Sequence, residues 1–344
     1  MSAVYTVNRE TFLKKLLHCQ PGLSETEKDE LAQTTHIVFK SGWAISFNAE
    51  VSCRCPSGLE KTLSAAVKAR PLIDSLQKLT TRDITLTFAN KRLVVDARHR
   101  KIMVPLDRKI QLKFGIVERP VAWQPLRDDF IEAIEMATQC TGKNEEMFYT
   151  VCVHLHPKGI EACDSFQVLR YKLRTGVRES VLVRGDAIKH LAEMSSMTQM
   201  CETETWIHFK NKRDFIFSVR RHFGYKYIDL SKAIGIEGSP AVLPRGLPDE
   251  IQIAEIFSKS EDVNVVTVEI DNGQMKMVGQ GVQGKFIGGP YKVKYKGPGV
   301  EFLVAPNLLS DIVKKYNRCI IARKAIKIEG DKWVYLCYLG NPSA

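Results

Sequence analysis

The chain has 344 residues, 44% hydrophobic and 26% charged, with 50 Lys and Arg against 39 Asp and Glu for a formal charge of +11. That length exceeds what one hydrophobic core organises, so two or three domains are expected. The composition excludes a disordered or collagen-like chain, and no apolar run is long enough to cross a bilayer, which leaves polyanions, nucleic acid first, as the partners the basic balance favours.

The N-terminus lacks a charged-then-apolar leader, and the nine cysteines are scattered and odd in number. Both features point to a cytoplasmic chain with free thiols. Cys53-Arg54-Cys55 is the closest cysteine pair, and no second pair or nearby histidine completes a tetrahedral zinc site. No metal and no cofactor is expected.

In chain order, Phe12, Leu13, Leu16 and Leu17 form an apolar stripe at helical spacing, with Lys14, Lys15 and His18 off it. A strand over 36–39 turns at Lys40-Ser41-Gly42 and returns over 43–47. A second helix follows Pro71, with Leu72, Ile73, Leu76 and Leu79 inward, and a hairpin over 84–95 surrounds Asn90.

The middle third repeats this order. A helix is predicted over 127–137, strands over 147–155 and 160–162, and a helix over 186–194 with Asp186 as its cap. Closing strands are predicted over 206–209 and 214–219. In the last third a weaker helix covers 253–258, because its flanks alternate like a strand. Strands over 263–270 and 274–278 flank Asp271-Asn272-Gly273, a type I′ turn signal. A helix over 306–316 turns Leu309, Ile312, Val313 and Tyr316 inward, and strands from 319 to 339 close the chain.

A short motif measures the period. Phe88-Ala89-Asn90-Lys91-Arg92 returns 121 residues later as Phe209-Lys210-Asn211-Lys212-Arg213, and Ile328-Glu329-Gly330-Asp331-Lys332 holds the equivalent place before 333–336. Three copies of one α+β domain are therefore expected: 1–119, 120–244 and 245–344, divided where Pro and Gly accumulate.

Catalytic signals are missing. The sequence holds no Walker loop, nucleophile elbow or HExxH helix, and Gly279-Gln280-Gly281 lacks a helix-opening context. Asp128-Asp129 reads as helix N-terminal charge, since adjacent residues on a helix point about 100° apart. His154 and His156 share a strand face without a third ligand. The basic, aromatic run 210–226 could stack single-stranded bases, but Phe215 and Phe217 alternate as the buried side of a strand does. No enzyme is expected. Lys14, Lys15, Lys78, Lys189, Lys314 and Lys315 recur on predicted helices off the apolar stripes. One exposed lysine means little, but recurrence in equivalent helices suggests a surface for phosphates, and Lys143 joins them as a DNA-contact candidate.

The three-domain order resembles the bacterial DNA polymerase III beta subunit, the processivity sliding clamp, over nearly the whole chain. Its most specific match runs from Ala162 to Val168, similar to that family's Ala-Thr-Asp-Gly-His-Arg-Leu. The run 223–230 looks like its Phe-Pro-Asp-Tyr segment, and 334–338 sits at its C-terminal Val-Val-Met-Pro-Met strand. The resemblance implies a hydrophobic pocket for partner peptides built from Cys163, Ser165, Phe166, Val168, Tyr225, Leu230, Val334, Tyr335, Leu336 and Tyr338. It also implies a head-to-tail homodimer ring around double-stranded DNA, with helices lining the hole and antiparallel sheets outside. A replicative DNA polymerase and a clamp loader are the implied partners, without membrane association.

The chain departs from the family pattern at Ser165, Phe166 and Gln167, which replace Gly, His and Arg, and at Cys337 and Tyr338. These departures and the charge suggest a phage or mobile-element version, acting in the host cytoplasm at the nucleoid. Strong phosphate contacts would hinder sliding, so the excess charge also suits an alternative: a basic, non-enclosing DNA-binding accessory protein in transcription or recombination.

Overall fold

The computed structural model describes residues 3–26, 31–89, 91–194, 196–258, 264–306, 310, 313–314 and 316–340. The fold is α+β, with helices α1 (Arg9–Leu17), α2 (Ala69–Lys78), α3 (Phe130–Gln139), α4 (Gly185–Ile188), α5 (Ser231–Ile234) and α6 (Leu247–Ser258) among many antiparallel strands. Contacts divide the chain into two compact units. The first holds Met1–Glu135, Leu155–Pro157 and Thr175–Gly224; the second holds Met136–His154, Lys158–Arg174 and Tyr225–Ala344.

The first unit is built on a twelve-stranded sheet running from Ala3–Asn8 at one edge to Gln124–Pro125 at the other. Phe12 and Leu16 of α1 are buried, as are Leu72, Ile73 and Leu76 of α2, and the two helices lie side by side. Asn8 caps α1, its side-chain oxygen accepting from the Thr11 amide at 3.1 Å. The sheet joins the first and middle thirds of the sequence where Val51–Pro56 pairs with Ile216–Arg220, Cys53 standing opposite Phe217. Trp206 completes the joint by packing among Val38, Ile45, Phe47 and Val117. Phe215 and Phe217 are buried, so neither offers a face to a base.

The second unit's main sheet runs through Gly159–Cys163, Gln167–Lys172, Trp333–Tyr338, Ala325–Glu329, Arg318–Ala322, Ser239–Val242 and Lys294–Tyr295. Here Gln167–Lys172 pairs with Trp333–Tyr338, so the middle and last thirds share hydrogen bonds. A four-stranded sheet, in the order Gly284–Lys292, Gln274–Gly281, Val266–Asp271, Val300–Val304, carries α6 on one face. The two units thus cut the sequence differently from its repeat period, because strand pairing is continuous across the thirds within each unit.

The repeated motif lies in equivalent hairpins. Its copies connect Asp83–Phe88 with Arg92–Ala97, Trp206–Asn211 with Ile216–Arg220, and Ala325–Glu329 with Trp333–Tyr338. Asn90 lies outside the described residues, but Asn211 shows a role for its type: its Oδ1 accepts from the Arg213 and Phe215 amides. Asn272 and Gly273 both have positive φ, 48° and 72°, as a type I′ turn requires.

Four expectations are corrected. The helix read over 186–194 is one α turn followed by the 3-10 turn Lys189–Leu191, and Asp186 does not cap it, because the helix starts at Gly185 and places Asp186 inside its first turn, 3.1 Å from Arg184 Nε. Residues 148–151 form a 3-10 turn before the strand Cys152–His156. Helix α6 begins at Leu247, ahead of the weak signal at 253, with Pro248, Asp249 and Glu250 in its first turn, where all three are favoured. The strand that leads into the Asp271-Asn272-Gly273 turn starts at Val266; Val263 lies outside the described residues, as does most of the helix expected over 306–316, including Leu309 and Ile312.

Candidate functional site

Register alone places most of the candidate pocket residues. Cys163 stands opposite Val168, and Val168 opposite Leu336, so the three project from one sheet face. Glu161, Arg170 and Val334 follow on the same face two residues along. Tyr335 is odd in this alternation and belongs to the other face. It is fully buried there, its hydroxyl donating to Gln167 Oε1 at 3.1 Å, while Gln167 Nε2 donates to the Gln139 carbonyl. Tyr335 therefore supports the site from behind and does not line it.

The segment 225–236, with α5, covers part of the first face. Leu230 packs with Cys163, Val168, Ala325 and Leu336, and Tyr149, Tyr227, Ala233, Ile234 and Ile236 surround them. Polar contacts pin this cover. Tyr227 donates its hydroxyl to Cys163 Sγ at 3.5 Å and stacks on the His154 ring at 4.2 Å between centroids. Arg170 pairs with Glu161 and reaches Ser231 Oγ at 3.4 Å, and Glu161 Oε2 lies 3.0 Å from His154 Nδ1. Burial raises the Glu161 carboxyl, but the hydrogen bonds from His154 and Arg170 and the guanidinium charge outweigh it, leaving it below the usual range. An ionised Glu161 is thus the hub that holds the cover.

Exposed apolar side chains surround this cluster. Ser165 and Phe166 occupy a tight turn in which Asp164 Oδ1 accepts from the Phe166 and Gln167 amides at 2.7 and 2.8 Å. That turn leaves Phe166 61% exposed, and its carbonyl accepts from the Tyr338 amide at 2.7 Å. Tyr338 is 40% exposed, and Tyr225 is 54% exposed against Phe148, with ring centroids 4.3 Å apart. Phe166 also walls a cleft of about 720 Å³ with Thr138, Lys143, Met147, Thr150 and Ala305. Of the ten pocket candidates, Cys163, Val168 and Leu336 lie buried beneath the cover, Leu230 packs on them from the cover, Val334 adjoins them, and Phe166 and Tyr338 meet at the margin of this cluster. Tyr225 and Ser165 flank it.

Met147, Tyr149, Tyr227 and Ile234 escaped the sequence reading. Spacing of i, i+3 and i+7 from Tyr227 through Leu230 to Ile234 was the available signal. The thiols here are not nucleophiles: burial pushes Cys337 up to about 12 and raises Cys163 and Cys140 above their ordinary value.

The DNA-contact candidates are less uniform. In the first unit Lys14 and Lys78 are exposed on α1 and α2. Lys15 is only half-exposed, its Nζ donating to the Ser57 carbonyl at 3.1 Å. Lys189 is exposed on the 3-10 turn. In the second unit Lys314 is exposed, and Lys143 lies in the loop after α3, on the cleft beside Phe166 and off any helix. Lys315 lies outside the described residues.

No protein-family model and no curated protein matches the chain. Solved structures do. The DNA polymerase III subunit beta from Pseudomonas aeruginosa superposes with a TM-score of 0.78 at 16% identity, covering 98% of this chain and 99% of that one. A putative DNA polymerase III beta subunit from Eubacterium rectale gives 0.82 at 14% identity, over 98% and 99%. The DNA polymerase III beta chain from Streptococcus pneumoniae gives 0.79 at 16%, over 99% and 100%. The chain has the sliding-clamp fold over nearly its whole length, on a highly divergent sequence.

Proposed function

We propose that the chain is a DNA polymerase processivity factor: two copies, each of three domains (1–119, 120–244 and 245–344), close head to tail into a ring around duplex DNA. The reading rests foremost on the clamp fold spanning the full chain. Enclosure, not affinity, holds the ring on DNA, so the protein needs lysines that neutralise phosphates without reading bases, and no chemistry of its own. Lys14, Lys78, Lys189 and Lys314 are the proposed contacts.

Closure needs apolar surface at the ends. In domain three, Ile253 and Ile256 of α6 and Val282 and Ile287 are exposed. Ile287 lies on Gly284–Lys292, an edge strand of its sheet, and an uncovered apolar edge strand is a pairing site. Val4 and Met103, exposed in domain one, offer apolar counterparts.

The exposed rim of the Cys163, Val168, Leu230 and Leu336 cluster would capture a short peptide of the replicative polymerase or the clamp loader, with Phe166 and Tyr338 as aromatic anchors. Primer extension on a primed circular template tests the reading. Product length should rise when chain and loader are added to the polymerase. Phe166→Ala with Tyr338→Ala should abolish the gain. Unchanged product lengths with the unaltered chain would contradict the proposal.

A further inference from the structure

The sheet face that carries Cys163 and Leu336 continues to a second cleft, of about 770 Å³, over Ala325–Glu329, Arg318–Ala322, Ser239–Val242 and Lys294–Tyr295. Cross-strand partners define its lining. Pro240 stands opposite Ile320, Val242 opposite both Arg318 and Lys294, and Ile320 opposite Lys327, so all six project the same way. The floor is apolar, from Pro240, Val242 and Ile320. Its rim is cationic, from Lys294, Lys296, Arg318 and Lys327, and Glu329 is the sole carboxylate among the lining residues. Glu329 is occupied, its Oε1 3.1 Å from Lys327 Nζ. Among the described residues, Lys294, Lys296 and Arg318 make no ion pair.

We propose that this cleft docks an extended acidic peptide segment of a partner protein, at a site separate from the Phe166–Tyr338 face and independent of the function proposed for that face. An extended peptide turns alternate side chains to opposite sides. Its apolar residues would settle on Val242 and Ile320, and flanking carboxylates would reach Lys294, Lys296 and Arg318. Lys294–Tyr295 is the outermost strand of the sheet among the described residues, so its free backbone edge can pair with an added strand. Single-stranded nucleic acid fits less well. It needs aromatic faces for successive bases, and half-buried Tyr295 is the one aromatic ring in the lining, above a floor that offers phosphates nothing.

Fluorescence anisotropy with a short fluorescein-labelled peptide of alternating glutamate and valine tests the proposal on the full chain. The peptide should bind, and Lys294→Glu with Arg318→Glu should weaken it about tenfold or more, as reversal of complementary charge does. Lys296→Glu, on an exposed edge residue, should weaken it in the same sense without touching the sheet. Phe166→Ala should leave the affinity unchanged. Equal binding of a lysine–valine peptide, indifference to both charge reversals, or capture of labelled oligo(dT) in place of the acidic peptide would overturn the proposal.

Discussion

His208 is fully buried between hydroxyls, its Nδ1 2.8 Å from Ser218 Oγ and its Nε2 3.0 Å from Thr203 Oγ1. Burial pushes it down to about 4, against the pull of Glu118 and with help from Arg54. The folded state therefore keeps it neutral where the unfolded chain protonates near pH 6.5. Its stabilising contribution is complete above that pH and declines as pH falls toward 4, a loss of about 3 kcal/mol by linkage. His208→Gln should flatten that slope in urea midpoints measured from pH 7 to 4; a variant that keeps the full acid slope would assign it to other groups. Residue identity was legible in part. The resemblance carried Cys163, Val168, Leu230 and Leu336 over as a group and Tyr335 with them, and because both faces of Trp333–Tyr338 are apolar, alternation could not separate front from back there. Only the pairing with Gln167–Lys172 separates the faces. Lys15 was counted as a free charge for a similar reason, since the carbonyl of Ser57 that engages it is distant in sequence.

Local chemistry made α1, α2 and the Asn272-Gly273 turn readable, because each is specified by spacing or by a φ requirement within a few residues. Helix α4 was read too long: its apolar spacing continues past Ile188, but the chain tightens into a 3-10 turn. Gly279, part of a glycine pair without phosphate-binding context, has a packing role instead. A Cβ there would overlap the Ala254 backbone of α6, which rests on the strand Gln274–Gly281. Glycine thus permits a close helix–sheet approach. Gly279→Ala should force α6 off the strand and lower stability by about 2 kcal/mol, read as a reduced denaturant midpoint. An unchanged midpoint would mean that the helix moves away at no cost.

For the whole molecule, the three short motifs each fall in the turn of a hairpin, but the way the thirds join was not readable. Val51–Pro56 meets Ile216–Arg220, and Gln167–Lys172 meets Trp333–Tyr338, through pairings that no local pattern announces. Two copies should associate through the exposed edge that carries Ile287, so Ile287→Asp should move the sedimenting species from dimer toward monomer with the fold retained. A dimer unaffected by that change would place the interface elsewhere. Enclosure of DNA is the central claim, and topology tests it most directly. The protein is loaded on nicked circular DNA, the circle is then cut once, and the retained fraction is measured by gel filtration at moderate salt. A ring stays on the circle and slides off the linear product, and blocking both ends restores retention. Equal retention on unblocked linear DNA would contradict enclosure and leave phosphate affinity as the source of binding.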